Sequence, residues 1–204
     1  MDILPRLKEI VGEENVSNEK SELIGYGLDW TRFFEPDPIA IVFARTTKQV
    51  IQLVQLARTA GIGLVPSGGR TGLSGGACAT NGEVVVSFER MNQILDFSSA
   101  DASVTVQPGV ITANLQTFAK EKGLFYPVDF ASSGSSQIGG NIATNAGGIR
   151  VLRYGMTRQQ VSGLKVVTGA GELLELNKGL TKNNTGYDLR HLFIGSEGTL
   201  GFVV

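Results

Sequence analysis

The chain has 204 residues, enough for one large domain or two small lobes, and a globule of that size buries roughly 70% of its unfolded surface. Lys and Arg number 18 against 19 Asp and Glu, and the net charge of −1 argues against broad nucleic-acid or anionic-membrane binding, so any anion must be held locally. One cysteine, Cys78, excludes an internal disulfide; one histidine, His191, leaves no Cys/His cluster for a zinc ion; no apolar run approaches the ~18 residues needed to span a bilayer.

Residues 2–12 place Ile3, Leu7, Ile10 and Val11 on one helical stripe, with Gly12 as its stop. Pro38 precedes the apolar run Ile39–Ala44, which reads as a buried strand. Thr46 or Thr47 then caps a helix with Val50, Ile51, Val54 and Ala57 inside and Gly61 at its end. Ile62–Pro66 reads as the next strand, so that Ile39–Pro66 forms one β-α-β unit with a parallel pair. Glu83–Phe88 and Ser103–Gln107 read as strands, and Thr112 as the cap of a helix running to Lys122 and closed by Gly123. Leu164–Thr168 and Glu172–Leu176 flank Gly169-Ala-Gly171 as a hairpin. The front half is therefore α/β and the back half largely antiparallel, with Phe88–Asp101 as the soft boundary between lobes at 1–90 and 91–204. Residues 198–204 look like the middle of a strand, which suggests part of a longer protein.

Glycine is the compositional outlier, 27 residues against an average usage of roughly 7%, concentrated in 68–76, 134–148 and 195–201. In Pro66–Ala77 five glycines let backbone N–H groups converge on an anion, Ser67, Thr71 and Ser74 add hydroxyls, and the loop leaves the carboxyl end of a strand, where open α/β sheets bind ligands. Such a nest suits a pyrophosphate; a long surface turn is the alternative. The loop lacks the Gly-Lys-Ser/Thr of a P-loop, and the chain has no G-x-G-x-x-G. In Ile138–Gly148, Asn141 and Asn145 fall on one face if the stretch is helical, with Gly139 and Gly140 at its start; the alternative is that Asn and Gly simply form turns.

The motifs Pro66-Ser-Gly-Gly-Arg-Thr-Gly72, Ile138-Gly-Gly-Asn-Ile-Ala-Thr-Asn-Ala-Gly-Gly148, Leu152-Arg-Tyr-Gly155, Asn184-Thr-Gly-Tyr-Asp188 and Ile194-Gly-Ser-Glu-Gly-Thr-Leu-Gly201, in this order, resemble the flavin-binding domain of the vanillyl-alcohol oxidase and p-cresol methylhydroxylase (PCMH) superfamily. The similarity is greatest to the branch of D-lactate dehydrogenases, D-2-hydroxyglutarate dehydrogenases and the FAD-binding subunit of glycolate oxidase. It implies an α+β, two-lobed PCMH-type FAD-binding domain. It implies further that Ser67, Gly68, Gly69, Thr71 and Gly72 bind the FAD pyrophosphate, with Pro66, Arg70, Leu73 and Ser74 completing that loop. Asp129, Ser132, Ser135, Ile138, Gly139, Gly140, Asn141, Thr144, Asn145 and Gly148 would follow the dinucleotide toward the flavin, and Glu197 and Gly198 would close the far side. Arg70 stands where histidyl-linked relatives carry the residue bonded to the flavin, and arginine cannot form that bond, so the FAD is expected to be non-covalent.

The implied reaction is oxidation of a small-molecule 2-hydroxy acid by hydride transfer to flavin N5, with a quinone, cytochrome or electron-transfer flavoprotein as acceptor. The implied location is cytoplasmic, with any membrane association arising through that acceptor. In the resembled family the substrate residues lie in a cap domain and C-terminal segment that follow the Glu-Gly-Thr-Leu-Gly region, so the catalytic residues are not assigned and the cap is expected beyond residue 204 or on a partner subunit. His191, among apolar residues, reads as packed or capping rather than as a base, and Cys78 as a small packed side chain. Arg150, Arg153 and Arg158 read as solvated or ion-paired; Trp30, Phe33 and Phe34 either cover an adenine or fill core. Two other readings remain: an FAD-binding module without activity of its own, and a serine hydrolase in which Gly72-Leu-Ser-Gly-Gly76 is a nucleophile elbow followed by Asp129 and His191.

Overall fold

The computed structural model describes residues 3–204. Leu7 and Val11 bury the inner stripe of α1 (Leu4–Val11), joined by Ile3, and Gly12 ends the helix with a positive φ of 92°. A short turn leads to β1 (Val16–Ser17) and α2 (Lys20–Tyr26). The apolar run after Pro38 forms β2 (Ala40–Phe43), buried at every position. Thr46, not Thr47, caps α3 (Thr47–Ala60): its hydroxyl accepts from Gln49 N at 3.2 Å, and Gly61 closes the helix in the left-handed region. Ile51 is only partly buried, and Leu53 and Leu56 join Val50, Val54 and Ala57 on the inner face.

Strands β3 (Leu64–Ser67) and β4 (Val84–Ser87) complete a four-stranded sheet of order β1-β2-β4-β3, with β2, β4 and β3 parallel and β1 antiparallel to β2. The β-α-β unit read from the sequence is present with one change: β4 lies between β2 and β3. Val84, Val85 and Val86 are buried on both faces and suit the centre, whereas half-buried β3 carries Pro66, which has no N–H to donate and suits an edge. Alternate residues face opposite sides. Ala40, Val42, Val84 and Val86 meet α1 and α3 in one core, while Ile41, Phe43 and Val85 meet Leu23 and Tyr26 of α2 in another.

Within the stretch read as a lobe boundary lies a strand absent from the sequence reading, β5 (Ile94–Ser98), which pairs antiparallel with β6 (Ser103–Val106) around a register shift between Ile94 and Asp96. In α4 (Thr112–Glu121) the cap position is Ile111, with extended backbone and no side-chain cap; Thr112 is already the first helical residue, and its hydroxyl bonds to Asn141 and Ser136. After α5 (Ile138–Thr144), α6 (Val151–Tyr154) and α7 (Thr157–Gln160) comes a sheet of order β8-β7-β9, formed by β7 (Leu164–Thr168), β8 (Leu173–Leu176) and β9 (Gly201–Val203), all antiparallel, with α8 (Arg190–Phe193) before β9. The β7–β8 hairpin read from Gly169-Ala-Gly171 is present, and Thr168 N donates to Glu172 O at 2.9 Å.

Adjacent residues of β7 enter different cores. Val166 packs with Val110, Leu115, Ile138, Ile142 and Phe193, and Val167 with Phe202 joins the α1–α3 core. That seam fixes the back half of the chain against the end of the first sheet. Leu53 is fully buried in the α3 face, and Leu53→Ala is expected to lower unfolding free energy by about 2–5 kcal/mol in urea titration; a loss below about 1 kcal/mol would contradict this packing.

Candidate cofactor site

Three segments meet around a cleft of about 460 Å³. The first, following edge strand β3, approaches the second backbone to backbone: a Cβ on Gly69 would stand 2.2 Å from Ser135 O. The second is tied to the third by Gly195 N donating to Ile142 O (3.1 Å) and Glu197 N to Ala143 O (2.8 Å). The third returns to the first where Gly198, at a φ of 83°, lies against Pro66, and where Ser74 Oγ donates to Glu197 Oε2 at 3.2 Å. The chain thus closes a ring of contacts around the cleft.

The glycines in this ring fall into two groups. Gly69, Gly139, Gly148 and Gly198 are fixed by neighbouring protein: a Cβ would meet Ser135 O, Pro108 Cβ (2.6 Å), Asp129 O (1.8 Å) and Pro66 Cγ (2.7 Å), respectively. Gly72 and Gly140 also border the cleft, yet a Cβ there would meet nothing within 4 Å, and at Gly68 its first contact would be an ordinary 3.5 Å to Gln137 Oε1. None of these three has a left-handed φ. Neither packing nor backbone conformation calls for glycine there, so what the missing side chains preserve is the space itself.

Of the residues singled out from the sequence, Pro66, Gly68, Gly69, Arg70, Thr71, Gly72, Leu73, Ser74, Ser132, Gly139, Gly140, Asn141, Thr144, Asn145, Glu197 and Gly198 line this cleft. The other five stand behind it. Ser67 is fully buried, and its hydroxyl accepts from Arg70 Nη1 at 3.4 Å. Asp129 pairs with Arg150 at 3.1 Å, Ser135 presents its carbonyl to Gly69, Ile138 fills core, and Gly148 packs on the Asp129 carbonyl.

The two asparagines do not share a helical face. Asn145 is the left-handed cap of α5, with a φ of 49°, and its Oδ1 accepts from Arg158 N at 3.0 Å. Asn141 is buried and donates through Nδ2 to Thr112 Oγ1 at 2.7 Å, while that hydroxyl also lies 2.7 Å from Ser136 Oγ. Thr112, Ser136 and Asn141 therefore tie α4, the serine-rich approach and α5 into one buried knot. Arg70 also has a positive φ, 54°; its guanidinium lies 4.0 Å over the Tyr26 ring and donates to Gly68 O at 3.2 Å. Three of the chain's non-glycine residues with left-handed backbones, Arg70, Asn145 and Glu197, thus line one cleft.

Sequence reasoning missed Asp29, which organises the first loop from outside it. Its Oδ2 accepts from Gly75 N at 2.8 Å and its Oδ1 from Thr31 N at 2.9 Å. Burial works to raise its pKa, but the hydrogen bonds from Thr31 and Gly75 outweigh burial and hold the carboxyl below its ordinary range. Phe88, Pro108, Phe130 and Gln137 also line the cleft without having been singled out. Trp30, Phe33 and Phe34 are exposed rather than core, and Phe34 packs beside Gly75. Cys78 is half-buried near Asp29.

The hydrolase constellation is not assembled. Ser74 bonds to Glu197, Asp129 to Arg150, and His191 stands outside the cleft with Nδ1 3.0 Å from Arg158 Nη1 and Nε2 3.4 Å from Asp188. Among the described residues no group of three His, Cys, Asp or Glu side chains is placed to hold a metal, and no helix is long and apolar enough to cross a membrane.

A cleft at the carboxyl end of a parallel edge strand, bounded by glycine-rich backbone and opening between two sheet systems, defines a nucleotide-binding domain of mixed α+β type. The fold is the PCMH type: p-cresol methylhydroxylase with substrate bound superposes with a TM-score of 0.75 at 20% identity, over 98% of this chain and 41% of that one. The FAD binding domain family matches residues 38–177, and the chain belongs to that family. It is 62% identical over 202 residues to a D-2-hydroxyglutarate dehydrogenase of Stutzerimonas stutzeri (strain A1501), covering 99% of this chain and 44% of the relative. It is 41% identical over 202 residues to glycolate oxidase subunit GlcD of Bacillus subtilis (strain 168), covering 99% and 43%. The chain thus spans less than half the length of these relatives. FAD is the family's cofactor, and the open space at Gly68, Gly72 and Gly140 fits a dinucleotide laid along backbone.

Asp29 gives a pH test. A depressed folded-state pKa contributes stability that is present above the unfolded value and lost as pH falls through the folded one. Asp29→Asn is expected to lower unfolding free energy by about 1–3 kcal/mol at neutral pH, with the deficit shrinking toward pH 3. Chemical denaturation at both pH values measures it, and an equal deficit at both would contradict the role given to the charge.

Proposed function

We propose that this chain is the FAD-binding portion of a flavin-dependent oxidoreductase that oxidises a D-2-hydroxy acid of the lactate, glycolate or 2-hydroxyglutarate type. The observation that carries the site assignment is the unforced glycine at positions 68, 72 and 140 on the cleft wall. The printed names of the relatives, a D-2-hydroxyglutarate dehydrogenase and a glycolate oxidase subunit, support the substrate class.

In this reading Gly68, Thr71 and Gly72 lie along the pyrophosphate, Ser132, Gly140, Thr144 and Asn145 follow the dinucleotide, and Glu197 closes the third side. Two lobes, residues 1–90 and 91–204, would hold it between them. When bound, FAD would supply the acceptor for the hydride on the substrate's C2, whose hydroxyl gives up its proton to a base. The protein's part here is to fix the cofactor and exclude water from it. Binding is non-covalent, since Arg70 offers no nucleophile and its guanidinium is held on Tyr26 and Gly68 O. The substrate-binding arginine, lysine and histidines, together with the proton acceptor, belong to a cap domain or partner subunit, and electrons pass on to a quinone, cytochrome or electron-transfer flavoprotein.

The visible spectrum of the purified protein is expected to carry bound-flavin bands, and acid precipitation to release all the flavin into the supernatant. Flavin retained in the pellet would contradict non-covalent binding, and failure to take up added FAD would contradict the site. A sharper test uses Gly140→Ala. Inside α5 it is expected to stabilise the apo protein by about 0.5–1 kcal/mol while weakening FAD at least about tenfold. Gly69→Ala, which forces a methyl into Ser135 O, should instead destabilise the apo protein. Unchanged FAD affinity in Gly140→Ala would overturn the assignment of this wall.

A further inference from the structure

Gln137 sits immediately before α5, with extended backbone angles, and is 8% exposed. Its carbonyl accepts from Asn141 N at 2.9 Å, and its neighbours Ser136 and Ile138 carry the two hydrogen bonds of the isolated antiparallel bridge in which Gln137 faces Ile111. Its side-chain oxygen has no such partner. Among the described residues Gln137 Oε1 is the buried side-chain oxygen or nitrogen without a hydrogen-bond partner. An orphaned buried amide oxygen carries a desolvation cost that native proteins rarely leave uncompensated.

No group among the described residues donates to this atom: Ser136 Oγ is bonded to Thr112, Asn141 Nδ2 donates to that same hydroxyl, and Ser67 Oγ accepts from Arg70. Gln137 lines the cleft beside Gly68, the place where a side chain is missing without structural cause. A donor on whatever fills that space would satisfy it. An amide oxygen only accepts, so a phosphate oxygen at neutral pH cannot satisfy it, whereas a hydroxyl can.

Resting on the FAD reading above, we infer that Gln137 Oε1 accepts a hydrogen bond from a sugar hydroxyl adjoining the pyrophosphate of bound FAD. Gln137 is thereby a positioning residue, fixing how far along the cleft the dinucleotide sits. Two sugars flank the pyrophosphate, the ribityl chain on the flavin side and the ribose on the adenosine side, and both offer the same chemistry.

The test is Gln137→Met, which keeps length and shape and removes the acceptor. Affinity for FAD and for ADP is measured on the full chain by flavin fluorescence and by competition, and the apo protein is melted alongside. The apo variant is expected to melt at or above the wild-type temperature, because an unsatisfied atom is gone, while the Kd for FAD rises about tenfold. If ADP weakens equally, the hydroxyl is the adenosine ribose; if only FAD weakens, it is the ribityl chain. Unchanged affinity for both ligands overturns the inference, as does a lowered apo melting temperature, which would make the amide a structural element. Wild-type protein that binds no FAD at all would instead remove the cofactor reading on which the inference stands.

Discussion

The cleft exists because three segments, far apart in sequence, approach one another closer than side chains permit. Gly69 against the Ser135 carbonyl and Gly198 against Pro66 are contacts between bare backbone and its neighbour, and a single Cβ at either place would part the walls. Hydrogen bonds from Gly195 and Glu197 to the last carbonyls of α5 close the third side. Close-packed interiors tolerate little change in volume, so these contacts act as fixed hinges of the site's geometry rather than as adjustable loops.

The surrounding fold supplies the leverage. The fully buried, valine-rich β4 occupies the sheet centre and leaves β3 at the edge, so that the first glycine segment emerges beside free space rather than beneath a neighbouring strand. Strand β7 then places Val166 and Val167 into two different cores, holding α5 and the Glu197 segment against the end of the first sheet. Within that frame Asp29 holds the first loop through Gly75, and the buried knot of Thr112, Ser136 and Asn141 holds the second.

Much of this was legible in the sequence, for physical reasons that differ by element. Helix α3 announced itself by period and by its Thr46 and Gly61 termini, and the glycine clusters marked the three segments that form the cleft. Strand β5 was hidden because Asp96 and exposed Leu95 interrupt the alternation that marks a half-buried strand. The order of β4 and β3 depends on a competition for the sheet centre that no local window contains. The asparagine spacing suggested a shared helical face, but Asn145 leaves the helix at a left-handed cap and Asn141 turns inward to Thr112. Composition could not separate the glycines that permit contact, such as Gly69 and Gly148, from those that preserve space, Gly72 and Gly140. That distinction belongs to tertiary neighbours. Asp29 was silent for the same reason, since its partner Gly75 lies 46 residues away.

The space kept by Gly68, Gly72 and Gly140 is, in the function proposed above, occupied by the backbone of a dinucleotide. A crystal structure of the chain grown with FAD tests it most directly. The pyrophosphate is predicted to lie over Gly72 and Gly140, with the Gln137 amide turned toward an adjoining sugar. Flavin bound elsewhere, with this cleft filled only by water, would contradict the account.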